Sequence, residues 1–113
     1  MKIAIPTANN KLCMHFGHCE VFTMIDADPE TASIQTTTLL DPPPHEPGVL
    51  PHWLAQQGAE MIIAGGMGQQ AQSLFEEQNI KVVIGASGEL TPNEVVTAYL
   101  NKTLATGDNI CDH

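Results

Sequence analysis

Hydrophobic and polar residues alternate with a period of two along the first third of the chain, then give way to helical spacing interrupted by short apolar runs. Lys2 to Pro6 reads as a β-branched strand closed by Pro6-Thr7, and residues 7–15 as a polar loop containing Asn9-Asn10. A second strand runs from about Val21 to Asp26, the turn Asp28-Pro29-Glu30-Thr31 follows, and Thr-rich Ser33 to Leu40 completes a hairpin. Asp41-Pro42-Pro43-Pro44-His45-Glu46-Pro47-Gly48 cannot join a ladder, because proline has no N–H to donate. Leu50, Trp53 and Leu54 then mark one face of a short helix that begins near Pro51 and stops at Gly58. Glu60 to Gly65 is a buried strand, Ala71, Leu74, Phe75 and Gln78 follow helical spacing, and Lys81 to Gly85 is the last strand. Thr91-Pro92-Asn93-Glu94 forms a capping box with proline at the first helical position and opens a helix through Val95, Val96, Tyr99 and Leu100.

The order βββαβαβα predicts an α/β domain. Short links place the second strand antiparallel between the first and third, and right-handed helical crossovers set the fourth and fifth parallel to the first. The simplest result is a five-stranded mixed sheet of order 3-2-1-4-5 with helices on both faces, a three-layer ribonuclease H-like fold. The walk across the sheet reverses between the first and fourth strands, and ligands favour such switch points. The loop after strand 1, the glycine turn after strand 4 and the proline-rich loop after strand 3 are expected at one rim.

At 113 residues the chain is expected to form a single domain spanning 1–113, with 106–113 expected as a flexible tail. Four Lys+Arg against thirteen Asp+Glu leave a formal charge of -9, which repels nucleic-acid phosphates and anionic lipid. No apolar run is long enough for a membrane helix, and Met1 to Pro6 lacks the tripartite pattern of an export signal. A cytoplasmic protein is expected. Three cysteines, an odd number, argue against a closed disulfide framework.

Candidate chemistry concentrates in Cys13-Met14-His15-Phe16-Gly17-His18-Cys19. Thiolates and imidazoles select copper(I), zinc or iron–sulfur species over magnesium or calcium. The spacing of Cys13, His15, His18 and Cys19 is not that of a zinc finger. One short loop can supply a wall of a metal pocket that other loops complete. On the plainer reading Cys19 is a small core residue and the histidines are solvated. Gly65-Gly66-Met67-Gly68 lies between a strand and a helix, where backbone N–H groups can face an anion such as a phosphate or a metal–sulfur cluster; a simple tight turn is the alternative. The turn lacks a Walker Lys-Ser/Thr, and its loose dinucleotide fingerprint has no acidic residue at the end of the next strand. His45, His52, Cys111 and His113 are further metal-binding residue types whose participation stays open.

Catalytic arrangements are poorly supported. There is no Gly-x-Ser-x-Gly elbow, no residue to orient a Cys–His pair, and no aspartate on the first strand for two-metal nuclease chemistry. A redox-active dithiol of Cys13 and Cys19 is a further possibility.

Lys2-Ile3-Ala4-Ile5-Pro6-Thr7, then His15-Phe16-Gly17 with Cys19 and Phe22, then Gly65-Gly66-Met67-Gly68, resemble the dinitrogenase iron–molybdenum cofactor biosynthesis family, the NifX-like and NifB carboxy-terminal domain group. The resemblance covers nearly the whole chain. It implies a ribonuclease H-like fold and a small non-enzymatic carrier of iron–molybdenum cofactor, a precursor or another metal–sulfur cluster, working with cluster donor and acceptor proteins not identified by the sequence. Residue by residue, it places His15 as the leading ligand, with Phe16 and Gly17 beside it and the glycine turn at Gly65, Gly66 and Gly68. Members often carry Arg after His-Phe-Gly where this chain has His18, and Cys13 and the Cys111/His113 tail are additional to the common pattern. The competing expectation is a nucleotide- or phosphate-binding regulatory module built on the same turn.

Overall fold

The computed structural model describes residues 1–13, 20–43, 48–86 and 88–104. Its elements are β1 (Lys2–Ala8), β2 (Lys11–Leu12), β3 (Val21–Asp28), β4 (Ser33–Leu40), α1 (Val49–Gln56), β5 (Met61–Ile63), α2 (Gln69–Glu77), β6 (Lys81–Val83) and α3 (Pro92–Leu100). They build a mixed sheet in the order β4-β3-β1-β5-β6, with β2 paired to β1. β3 is antiparallel to β1 and β4, whereas β5 and β6 continue parallel to β1.

Strict alternation along β1 divides the core into two. Ala4 joins Phe22, Met24, Leu54, Ile62 and Phe75 on one face. Ile3 and Ile5 join Ile25, Ile63, Val95 and Val96 on the other. Residues of α1 and α2 pack in the first cluster and residues of α3 in the second, so every β1 side chain from Ile3 to Thr7 is buried. A strand covered on both faces needs few polar residues, and the run Ile3-Ala4-Ile5-Pro6 meets that demand.

Two local features depart from the expected reading. β1 does not close at Pro6. It runs on to Ala8, turns through Asn9 (φ 53°) and Asn10 (φ 64°), and returns as β2 with Thr7 opposite Leu12 and Ala8 opposite Lys11. Two consecutive positive φ values make a two-residue hairpin turn of the primed kind, and asparagine tolerates them better than most residues. Pro6 survives inside a central strand because β1 pairs with β5 through Ile3 and Ala4, so the missing N–H lies beyond that ladder. The strands expected over 60–65 and 81–85 are shorter, Met61–Ile63 and Lys81–Val83, and both then feed irregular backbone.

Candidate functional site

The carboxyl end of β1 gathers the loops that carry the candidate chemistry. Cys13 N–H donates to the Pro6 carbonyl at 2.8 Å, and Glu20 N–H donates to the Thr7 carbonyl at 2.9 Å. The loop between Cys13 and Glu20 therefore leaves and returns on two adjacent residues of one strand. Glu20 adds a second tie, its carboxylate accepting from Asn9 N–H at 2.9 Å, which fastens the loop base to the Asn9-Asn10 turn. The far side of the hairpin is pinned by Leu12 N–H donating to the Leu90 carbonyl at 2.9 Å.

The glycine turn lies beside these anchors. Ala4 is level with Ile62 in the parallel register, so Gly65, two residues past the end of β5, lies at the same carboxyl-end rim, while β2 takes the β5 side of Thr7 by pairing it with Leu12. Gly85 N–H donates to the Gly65 carbonyl at 2.8 Å, which ties the segment after β6 to the same turn. Leu40 is opposite Phe22, one residue from the Thr7–Val21 pair, so the proline-rich segment also leaves β4 at this rim. α1, α2 and α3 all begin here, because each crosses between the carboxyl ends of the strands and their starts.

The rim combines the backbone dipoles of the helix starts with the carboxylates of Glu20 and Glu94. All four cationic side chains are lysines, Lys2, Lys11, Lys81 and Lys102. Lys2 and Lys81 open β1 and β6, and Lys102 follows α3, so these three belong to the opposite end; Lys11, on the β1–β2 hairpin, belongs to the rim. α2 begins at Gly68 with no side-chain cap, leaving its first amides available to an anion at the rim. α3 uses its own: Thr91 Oγ1 accepts from Glu94 N–H at 3.2 Å and the Glu94 carboxylate accepts from Thr91 N–H at 2.9 Å. The backbone hydrogen bond from Thr91 holds the Glu94 carboxyl below its ordinary range, helped by the Thr91 hydroxyl and the charge of Lys11.

The expected site residues divide into three groups. His15, Phe16, Gly17, His18 and Cys19 lie outside the described residues, as do His45, Cys111 and His113. Cys13 is described and is 6% exposed, a poor position for a donor to a metal reached from solvent. Gly65 and Gly66 are buried, Gly68 is half-buried with φ -64°, and Met67 is fully buried in the cluster that holds Phe22, Leu54 and Phe75. Met67 is thus an apolar anchor beneath the turn, and what this stretch can offer a ligand is backbone. Its carbonyl is taken by Gln72 Nε2 at 2.9 Å. His52 is exposed in the first half of α1. Among the described residues no group of three or more His, Cys, Asp or Glu is placed to hold a metal ion.

Sequence reasoning passed over two supports of this rim. The Glu20 tie carries no motif beyond an acidic residue next to the loop. The Asn9-Asn10 hairpin did carry one, since paired asparagines between short alternating runs are a turn signature.

The chain is 33% identical over 87 residues to an uncharacterized protein of Methanocaldococcus jannaschii, covering 73% of this chain and 72% of that protein. Its fold matches the crystal structure of the protein PH0822 with a TM-score of 0.84 and 25% identity, covering 95% of this chain and 96% of the other. The apo form of the orange protein from Desulfovibrio gigas shares the fold with a TM-score of 0.68 at 21% identity, over 96% of this chain and 93% of that one. The segments that meet at the rim, from β1 through the glycine turn to α3, all fall within residues 1–102, which match the dinitrogenase iron-molybdenum cofactor family model, and the chain belongs to that family.

Proposed function

We propose that this protein is a small cytoplasmic carrier for an iron–molybdenum or other metal–sulfur cluster, or its precursor, acting in cofactor biosynthesis or delivery and not as an enzyme. The cluster is cargo. The reading rests above all on one observation: the residues that flank the Cys/His segment, Cys13 and Glu20, are tied to Pro6 and Thr7 at the carboxyl end of β1, the same rim from which the glycine turn leaves β5. On a ribonuclease H-like frame this is the switch point where strand order reverses. A segment whose sequence is rich in soft sulfur and imidazole donors, anchored at the rim where α2 begins without a side-chain cap, is suited to an anionic sulfide cluster.

Roles follow from placement. His15 is the leading ligand, with Cys19 and His18 as further donors from the same loop and Phe16 and Gly17 shaping it. Cys13, buried at the loop base, is the weaker candidate and is better suited to packing. Amides around Gly66 and Gly68 stabilise the cluster's charge, while Met67 and Gln72 hold the turn in shape. A few protein ligands on one side leave the rest of the cluster exposed for transfer to an acceptor protein. The net charge of -9 favours acceptors with basic surfaces over nucleic acid.

Anaerobic reconstitution with iron, molybdenum or copper plus sulfide tests the proposal through visible absorption and metal content. Wild type is expected to retain a charge-transfer spectrum through desalting, and His15→Ala with Cys19→Ala is expected to lose it. An unchanged spectrum in the double variant refutes the ligand assignment. Binding heat with nucleotides, and none with sulfide clusters, establishes the phosphate-binding module instead.

A further inference from the structure

We infer that the groove between the end of α1 and the β3–β4 part of the sheet is a second binding site, which takes a small zwitterion: a free α-amino acid with an apolar side chain. Three rows of directly paired residues form its floor, on the face that carries α1: Lys2–Asp26–Thr36, then Ala4–Met24–Thr38, then Phe22–Leu40. Leu50 and Leu54 of α1 join Ala4, Phe22 and Met24 in one buried cluster, whereas Thr36 and Thr38 of β4 stay exposed. Gln57, at the end of α1, walls the uncovered strip and leaves a groove of about 290 Å³. That volume suits a molecule of amino-acid size.

The end of the groove carries the argument. Opposite charges on directly opposed strand residues ordinarily close on each other. Lys2 and Asp26 are so opposed and do not form an ion pair. Gly58, at φ 89°, has no Cβ, and the Lys2 chain runs across the space this leaves, with Cδ and Nζ each 3.3 Å from where that Cβ would stand. The Asp26 carboxylate turns to the Met1 amino group, at 3.4 Å, and the Lys2 ammonium has no ion-pair partner among the described residues. A cation and an anion thus line one groove without neutralising each other. A ligand with both signs on one carbon satisfies both, its carboxylate on Lys2 and its ammonium on Asp26. Its side chain then lies on Met24 and Leu40, and the Thr36 and Thr38 hydroxyls and the Gln57 carboxamide offer further hydrogen bonds. Such a ligand is neutral overall, so the net charge of -9 does not repel it as it would a simple anion. Lys2 and Asp26 lie at the end of the sheet away from the rim, and the inference does not depend on the cargo reading.

Amide chemical-shift mapping of the full chain, titrated with L-methionine and with L-leucine to millimolar concentration, decides the matter. Saturable shifts are expected at Met24, Asp26, Thr36, Thr38 and Gln57, with Gly66 to Gln70 unmoved. N-acetyl-L-methionine lacks the ammonium and L-methioninol lacks the carboxylate. Each is expected to bind at least about tenfold more weakly, the loss that one charge-assisted hydrogen bond implies. Lys2→Met and Asp26→Asn are expected to weaken L-methionine to a similar extent with unchanged circular dichroism. The analogues are compared on the wild-type chain, so that comparison stands should a variant fail to fold. Absence of saturable shifts with both amino acids, shifts centred outside the groove, or analogues that bind as well as L-methionine overturn the inference.

Discussion

A pair of buried hydroxyls carries the most specific polar contact in the sheet. Thr7 Oγ1 donates to the Ile5 carbonyl at 2.8 Å and lies 2.9 Å from Thr23 Oγ1. A hydroxyl has one proton, so Thr23 must donate to Thr7. Both residues are almost fully buried. Thr7→Val strands the Thr23 hydroxyl and is expected to cost about 1–3 kcal/mol, whereas Thr23→Val removes one bond and costs about 0.5–1.5 kcal/mol. The double variant should lose less than the sum, a coupling that urea denaturation of the four proteins measures. Met67 offers a sharper contrast. As an anchor in the core, Met67→Ala is expected to lose about 2–5 kcal/mol, while Met67→Leu loses under about 1.5 kcal/mol. Stability within about 0.5 kcal/mol of wild type for Met67→Ala would return the side chain to the surface.

Among the elements, legibility followed the range of the determining interaction. The capping box of α3 is local: Thr91, Pro92 and Glu94 sit in four consecutive residues, and the structure forms both reciprocal bonds. The change from period two to helix–strand alternation likewise exposed the mixed α/β plan. β2 escaped notice because a two-residue strand has no period to read, and its partner and the Leu90 contact are decided by tertiary placement. Met67 escaped for the same reason, since a methionine flanked by glycines gives no sign of which way it points. The cap also supplies a pH dependence. Glu94 is held below its ordinary range in the folded chain, so it stabilises at pH values above the unfolded carboxylate's, and that contribution disappears as pH falls through the lowered folded value. The difference in urea midpoint between wild type and Glu94→Gln should therefore be largest near neutrality and shrink on acidification. A difference independent of pH would assign the effect to something other than the carboxylate. At the hairpin, Asn10→Gly should raise stability by about 0.5 kcal/mol, because glycine accepts positive φ without strain.

At the scale of the whole molecule, the strand plan forces chemistry from distant parts of the chain onto one rim. The loop anchors on Pro6 and Thr7, the turn at Gly65 and the start of α2 come together because β1 and β5 are parallel neighbours. The donor types of that loop were legible from composition alone; the order in which His15, His18 and Cys19 would meet a metal was not, since a loop's side-chain geometry has no periodicity behind it. The account stands on one cargo touching both the loop and the turn. Amide chemical-shift mapping of the labelled protein during titration with tetrathiomolybdate, without and with copper(I), tests this most directly. The account predicts that Gly66, Gly68, Gln69 and Gln70 shift together with the segment from Cys13 to Glu20, at the same stoichiometry, while β4 and the end of α3 stay still. Shifts confined to the loop with a silent glycine turn, or centred at the opposite end near Lys2 and Lys81, would contradict it.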